Sequence, residues 1–185
     1  MSLDFLTDDL LIKNNSFDGP VVVTGAGGCI AAWVLTILHR SHIPCIAIDL
    51  TDNKNRLELL LGNETNKIDW KVCDITHLEK LSKIITSYKP SAIIHLAGLQ
   101  VPFCAENPAL GARVNVEGTI NILEIARKTN IKRTVYASSV AALGLPPNGP
   151  WKETLYGAYK LANEHTAFVY LSLIHISEPT RPSSI

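Results

Sequence analysis

The fold is decided by the stretch Val21-Val-Val-Thr-Gly-Ala-Gly-Gly-Cys-Ile-Ala31. Three consecutive β-branched residues are typical of a strand that is buried on both faces. The glycines that follow predict a tight turn, and the apolar residues after Cys29 predict the start of a helix. The stretch therefore indicates a strand, a glycine turn and a helix in direct succession.

The rest of the chain repeats this alternation of short apolar runs and longer helical patterns. Strands are predicted at Pro20–Thr24, Pro44–Asp49, Ile68–Cys73, Ala92–Leu96 and Ile131–Ala137. Helices are predicted at Cys29–Arg40, at His77–Tyr88, from Pro108 to Thr129 and from about Leu155 onward, and a loop over Pro146–Pro150. Strands that alternate with helices indicate right-handed βαβ units, and so an α/β fold with a parallel sheet covered on both faces.

The glycine turn is a candidate phosphate-binding site, although a glycine-rich turn without a ligand is the simpler alternative. Gly25 allows a tight turn, and Gly28 lets backbone N–H groups at a helix N-terminus approach a pyrophosphate. Asp49 ends the next strand, 24 residues beyond Gly25, where a carboxylate binds ribose hydroxyls. An acid there repels a 2′-phosphate and favours NAD over NADP, a preference that Lys54 and Arg56 moderate. Asp49 alone has the alternative of a solvated residue at a strand end.

Five ordered motifs resemble the extended short-chain dehydrogenase/reductases, the NAD-dependent epimerase/dehydratase family. They are Thr24-Gly25-x-x-Gly28-x-x-Ala31, Asp74-Ile75, His95-Leu96-Ala97-Gly98, Asn115-Val-Glu-Gly118-Thr119 and Tyr156-Gly-Ala-Tyr-Lys160. The resemblance covers about Pro20 to Tyr170 and implies a Rossmann-type doubly wound parallel sheet. It also implies that NAD contacts Gly25, Gly28, Cys29, Ile30, Asp49, Asp74, Ile75, Leu96, Ala97, Gly98, Asn115, Tyr156 and Lys160.

Tyr156 and Lys160 are spaced i, i+4 and so lie on one helix face. A phenol is a poor base at neutral pH, but a nearby ammonium stabilises the phenolate form. The resemblance makes Tyr156 the general acid/base, Lys160 its partner and the ligand of the nicotinamide ribose, and Ser139 the third catalytic residue, with Ser138 as the competing choice. The alternative for the Tyr/Lys pair is an exposed pair without a catalytic role. Tyr159 departs from the small serine that is usual in the family before the lysine.

Two positions after the serines limit the reaction. Sugar dehydratases of the family carry an Asp-Glu pair there, whereas this chain has Val140 and Ala141, which cannot transfer a proton. The remaining prediction is an epimerase or dehydrogenase, an isomerase or oxidoreductase acting on a secondary hydroxyl of a nucleotide sugar. The alternatives are an NAD(P)-dependent reductase of a non-sugar carbonyl and a dinucleotide sensor without catalysis. Asn115 is expected to support the site, or simply to bond a loop, and His95 to be a packed structural histidine.

Composition excludes several classes of partner. The chain carries 17 Lys+Arg and 17 Asp+Glu, which gives no basic surface for nucleic acid or an anionic membrane. Gly19–Leu38 lacks charge but contains the glycine turn, so we do not expect a membrane span. Four cysteines without metal-ligand spacing indicate reduced thiols of a cytoplasmic protein, with no metal site predicted. The resemblance implies a homodimer.

The two ends of the chain are expected to lie outside the domain. Residues 1–18 are predicted to be a leader, residues 19–170 the cofactor domain, and residues 171–185 a tail that resembles a translated sequencing adapter. The alternative for Leu171–Ile176 is an ordinary strand. We therefore expect the Rossmann-type domain to be incomplete at its C-terminal end, and the 185-residue chain to have little activity by itself.

Overall fold

The computed structural model describes residues 8–12, 17–144 and 153–175, and within them a single parallel sheet of five strands. The strands are β1 (Val21–Thr24), β2 (Cys45–Asp49), β3 (Asp69–Val72), β4 (Ala92–His95) and β5 (Arg133–Tyr136). Their order across the sheet is β3-β2-β1-β4-β5, and every neighbouring pair is parallel. All five predicted strands are confirmed, each one to three residues shorter than predicted.

Helices connect the strands in the predicted βαβ manner. They are α1 (Cys29–Arg40), α2 (Asn55–Leu61), α3 (Leu78–Tyr88), α4 (Val101–Glu106), α5 (Pro108–Ala112), α6 (Gly118–Thr129) and α7 (Leu155–His175). The helical stretch predicted from Pro108 to Thr129 is present, but a π-helical turn at Arg113–Glu117 separates α5 from α6. Helices α2 and α4 were not predicted, because with seven and six residues they are too short for a clear period.

The core consists of two apolar layers, one on each face of the sheet. Val21 and Val23 point into the layer formed with α1, while Val22 points into the layer formed with α3 and α6. All three valines are fully buried, as expected for the central strand of a sheet covered on both faces.

The strand order places a crevice at the carboxyl ends of β1 and β4. Successive connections from β1 run to one side of the sheet through β2 and β3, and then to the other side through β4 and β5. Ligands of such sheets bind outside the carboxyl ends of the strands where this reversal occurs. Thr24, the last residue of β1, is paired there with Ile48 and with His95.

Two predictions about the chain ends have different outcomes. Helix α7 continues through Leu171 to His175, so the strand alternative for this stretch is wrong over its described residues. The adapter origin of residues 171–185 stays a prediction. The predicted loop at Pro146–Pro150 and residues 176–185 lie outside the described residues. In the described ranges, no helix has the length and apolar character that crossing a membrane requires.

Candidate active site

The glycine turn fits closely against the loop that follows β4. Gly25 has φ of +69°, and a Cβ at this position would lie 2.6 Å from the backbone nitrogen of Ala97. Gly28 is the N-cap of α1, and no side chain caps the first turn of the helix. Backbone N–H groups at the start of α1 therefore open onto the crevice, where an anion is bound favourably.

Asp49 lies at the end of β2 and faces the same turn. Its Oδ2 accepts a hydrogen bond of 2.9 Å from the N–H of Gly27, and its Oδ1 accepts one of 3.4 Å from the N–H of Thr51. Each carboxylate oxygen carries two lone pairs, so both oxygens retain acceptor capacity for hydroxyl groups of a ligand.

His95 ends β4 and belongs to a buried chain of hydrogen bonds. Its Nδ1 lies 2.7 Å from Thr24 Oγ1, and its Nε2 lies 3.1 Å from Thr119 Oγ1. The Thr119 hydroxyl donates its proton to the carbonyl of Asn115 at 2.7 Å, so His95 Nε2 must be the donor to Thr119. Nδ1 is then an acceptor for the Thr24 hydroxyl, whose oxygen is free to accept the N–H of Ala97 at 3.5 Å.

This histidine is uncharged and structural, as expected from the sequence. Burial lowers the pKa of His95 to about 3, and the positive charge of Lys160 contributes a smaller effect in the same direction. The neutral ring connects β1, β4 and α6 and fixes the start of the loop that carries Ala97 and Gly98.

Asn115, a predicted cofactor contact, bonds the loop after β4. It is buried within the π-helical turn, where its Oδ1 accepts the N–H of Leu99 at 2.8 Å and its Nδ2 donates to the Leu99 carbonyl at 2.9 Å. It is not among the residues that line the cleft. These bonds are those of the alternative, a helix residue that bonds a loop, and the contact of Asn115 with NAD stays a prediction. A Cβ at Gly98 would lie 2.8 Å from Asn115 Oδ1, which explains the glycine.

Tyr156 and Lys160 lie one turn apart on α7, and both line the cleft. Lys160 Nζ donates a hydrogen bond of 2.7 Å to the carbonyl of Ala137 and lies 5.5 Å from the centroid of the Tyr156 ring. Only 8% of Lys160 is exposed, and this burial lowers the pKa of its ammonium. The lysine thus brings a partly desolvated cation next to the phenol.

The two serines after β5 occupy different surroundings. Ser138 lines the cleft and donates its hydroxyl to the carboxylate of Glu164 on α7. Ser139, the serine favoured by the sequence, does not line the cleft, and its Oγ accepts the N–H of Ala141 at 3.2 Å. The segment turns into a 3-10 helix at Val140–Gly144, and this turn explains why one residue faces the cleft and the next caps the backbone. The catalytic role of Ser139 stays a prediction.

Tyr159, the bulky residue before the lysine, packs on α5. Its hydroxyl donates to the carbonyl of Pro108 at 2.9 Å, and a Cβ at Gly111 would lie 3.0 Å from Tyr159 Cε2. The glycine therefore provides the space for a residue larger than the serine usual in the family.

These elements enclose one open cleft of about 650 Å³, which lies within the size range of small-ligand sites. Of the predicted site residues, all but Asn115 and Ser139 line it. Ser138, the competing catalytic serine, and Arg56, expected to moderate the NAD preference, also line the cleft. Further lining residues that were not assigned a site role from the sequence include Thr51, Asn53, Gln100, Leu110 and Val114. The positions of Thr51 and Asn53 shortly after Asp49 are the signal that could have identified these two.

Comparison with known proteins agrees with this geometry. Residues 21–172 match the family described as the NAD dependent epimerase/dehydratase family. A UDP-glucose 4-epimerase from Pisum sativum is 30% identical over 161 residues, which cover 80% of this chain and 46% of that protein.

Two solved structures share the fold at 26% identity. The UDP-glucose 4-epimerase of Thermus thermophilus, solved in complex with NAD, has a TM-score of 0.69 and is matched over 82% of this chain and 50% of its own. An L-threonine dehydrogenase from Clostridium difficile has a TM-score of 0.67, with 83% of this chain and 49% of its own covered. The chain thus spans about half the length of these proteins.

Proposed function

Because the chain belongs to the NAD dependent epimerase/dehydratase family, we propose that it binds NAD in the cleft and serves hydride transfer at a secondary hydroxyl of a nucleotide sugar. The observation that carries this proposal is the position of Tyr156 and the buried Lys160 on the wall of the cleft that contains the glycine turn.

The residues present fit a dinucleotide. The turn at Gly25 packs against the backbone of Ala97, where any Cβ would clash. It leads to Gly28 and the start of α1, which has no side-chain cap, so the backbone N–H groups there are available to a pyrophosphate. Asp49 retains acceptors for ribose hydroxyls, and its negative charge disfavours the 2′-phosphate of NADP. Lys160, which also lines the cleft, would hold the nicotinamide ribose.

When bound, NAD would accept the hydride in its oxidised form and donate it in its reduced form. The protein supplies the proton transfer, in which Tyr156 takes the proton of the substrate hydroxyl during oxidation and returns it during reduction. Lys160 holds its ammonium 5.5 Å from the centroid of the Tyr156 ring, on the wall of the same cleft. We propose Ser139 as the hydrogen-bond partner of the reacting oxygen.

Among the reactions of this family, we propose epimerisation for this chain. The relatives named UDP-glucose 4-epimerase support a nucleotide-sugar substrate. Val140 and Ala141 carry no group that removes or adds a proton, which disfavours a dehydratase. The similarity to an L-threonine dehydrogenase supports the second candidate, NAD-dependent oxidation of a small alcohol that is not a sugar.

The remaining parts of the proposal concern the surroundings of the protein. The four cysteines are free thiols, which fits a reducing cytoplasm. Phe103 on α4 and Phe168 on α7 are 54% and 76% exposed, which supports burial of these helices in a homodimer. Light scattering on the purified protein tests the dimer.

The test begins with calorimetric titration of NAD into the chain, which we expect to bind with a stoichiometry of one. With the chain extended to the length of its relatives, UDP-glucose should be interconverted with its 4-epimer without net accumulation of NADH. Steady NADH production with L-threonine in place of the nucleotide sugar would support the second candidate. If the protein binds NAD but turns over neither substrate, the remaining candidate is a dinucleotide sensor without catalysis.

Tyr156→Phe provides the control for the chemistry, because it removes the hydroxyl and keeps the ring. We expect NAD to bind this variant with its affinity nearly unchanged and the rate to fall by at least about 100-fold, the usual effect of losing a general acid/base. A retained rate would assign the proton transfer to another group.

A further inference from the structure

Gly27 is held from both sides by charged side chains of the same segment. Its N–H donates to Asp49 Oδ2 at 2.9 Å, and its carbonyl accepts a hydrogen bond of 2.9 Å from Arg56 Nη1. Asp49 ends β2, whereas Arg56 lies seven residues later on α2. The two side chains thus hold the middle of the glycine turn, which itself has no side chain for contact.

The segment between these two residues closes around the turn. A Cβ at Gly27 would lie 3.2 Å from the carbonyl oxygen of Asn53 and 3.5 Å from Asp49 Oδ2. From the opposite side, the indole of Trp70 on β3 donates to the carbonyl of Thr51 at 2.9 Å. The β2–α2 segment is therefore fixed to the sheet at one point and to the glycine turn at another.

Arg56 and Lys54 are two cations of this segment with different contacts. Arg56 is exposed, lines the cleft and bonds the turn. Lys54 does not line the cleft, and its ammonium lies 5.6 Å from the centroid of the Trp70 ring. The two residues carry equal charge at nearby positions, but Arg56 is the one that holds a peptide group of the glycine turn.

We propose that Arg56 is a positioning residue of the dinucleotide site: by holding the Gly27 carbonyl, its guanidinium keeps the glycine turn in the conformation that receives the pyrophosphate. This inference rests on the proposed binding of NAD in the cleft. A planar guanidinium holds a carbonyl in a fixed direction better than a flexible ammonium does. The effect acts on the turn, and so it concerns the ADP half that every form of the cofactor shares.

The experiment compares Arg56→Met with Lys54→Met, which removes the same charge from the same segment. We expect Arg56→Met to raise the Kd for NAD about tenfold, the loss associated with a hydrogen bond from a charged group. The Kd for NADP and for ADP-ribose should rise by the same factor, and Arg56→Lys should restore part of the affinity. Lys54→Met, at a residue that does not line the cleft, should keep the wild-type Kd for NAD and ADP-ribose. Urea unfolding should give Arg56→Met and Lys54→Met similar stabilities, which separates positioning from general destabilisation.

Two results would overturn the inference. Equal affinities of Arg56→Met and Lys54→Met would show that the contact with Gly27 has no role in binding. A loss confined to NADP would make Arg56 a direct ligand of the 2′-phosphate instead. Absence of NAD binding by the wild-type chain is a separate outcome, because it refutes the proposed function before any variant is compared.

Discussion

At the scale of single residues, glycine conformation and steric space determine the shape of the cofactor turn. Gly25 and Gly62 share a positive φ, +69° and +53°, but only Gly25 has a neighbour in the space where a Cβ would lie. The contrast separates two effects that a glycine substitution usually combines, the cost of the backbone conformation and the cost of a clash.

We expect Gly25→Ala to destabilise the chain by more than the ~1 kcal/mol that a left-handed conformation alone costs a residue with a side chain. It should also abolish NAD binding, because its Cβ displaces the Ala97 loop. Gly62→Ala is the control for a positive φ without a clash: its backbone (φ +53°, ψ −129°) also disfavours a side chain, but no atom lies within 4 Å of the added Cβ. We therefore expect it to lose stability and to keep its NAD affinity. Urea unfolding and calorimetry measure both quantities, and an equal loss of NAD affinity in the two variants would contradict the steric argument.

His95 predicts a dependence of stability on pH. The pKa is about 3 in the folded chain against an ordinary value of 6.5, so between these limits the unfolded chain binds a proton on this residue that the folded chain does not. Stability contributed by His95 is complete above the ordinary value and falls as pH decreases, by about 1.4 kcal/mol per unit.

The measurement is urea unfolding of the wild type and His95→Gln between about pH 7 and pH 4, a window that begins above the ordinary pKa of histidine and ends above the folded pKa of His95. We expect the difference in unfolding free energy between the wild type and His95→Gln to shrink as the pH falls. A constant difference would mean that the folded chain accepts the proton.

At the scale of elements, α7 holds the segment after β5 at two consecutive residues of that segment, Ala137 and Ser138. Lys160 bonds the carbonyl of Ala137, and Glu164, one turn later, accepts the hydroxyl of Ser138. The helix that carries the phenol therefore also sets the position of the serines.

We expect Ser138→Ala and Glu164→Ala each to lower the unfolding free energy by about 0.5–1.5 kcal/mol, the net value of one hydrogen bond. The double variant should lose about as much as one single variant, because both remove the same contact. Ser139→Ala serves as the control: because Ser139 bonds Ala141 and not Glu164, its loss of unfolding free energy should add to that of Glu164→Ala. Additive losses for Ser138 and Glu164 would show that their contact contributes nothing.

Sequence patterns predicted the strands and the long helices because each carries an apolar run or period of its own. They did not predict α2 and α4, which are too short to show a period, nor the π-helical turn around Asn115. The amide of Asn115 bonds the loop at Leu99, which offers it both a donor and an acceptor. The choice between Ser138 and Ser139 likewise depends on how the chain turns after β5, which residue identity does not encode.

At the scale of the whole molecule, the cleft collects groups from the end of β2, from α7 and from the segments that follow β1 and β4, so a bound dinucleotide would connect elements distant in sequence. We expect NAD at about 100 times its Kd to add about 2.7 kcal/mol of stability. For a chain of this size that corresponds to a rise of roughly 5–10 °C in Tm. The same concentration of NADP should raise the Tm less, because Asp49 repels its 2′-phosphate.

Asp49→Asn tests the source of this difference by differential scanning calorimetry. Removing the charge should bring the Tm shifts produced by NAD and NADP closer together. A larger shift with NADP in the wild type would refute the assignment of Asp49 as the residue that selects NAD.

The packing of Tyr159 against Gly111 also constrains how the sequence can change over generations. A tyrosine introduced while position 111 carries a larger residue meets a crowded wall, whereas a glycine introduced first leaves a small gap that the ring can fill. The geometry therefore favours the order in which the glycine comes first. Reversion of the glycine to alanine alone would require Tyr159 Cε2, 3.0 Å from the added Cβ, to move by a few tenths of an ångström.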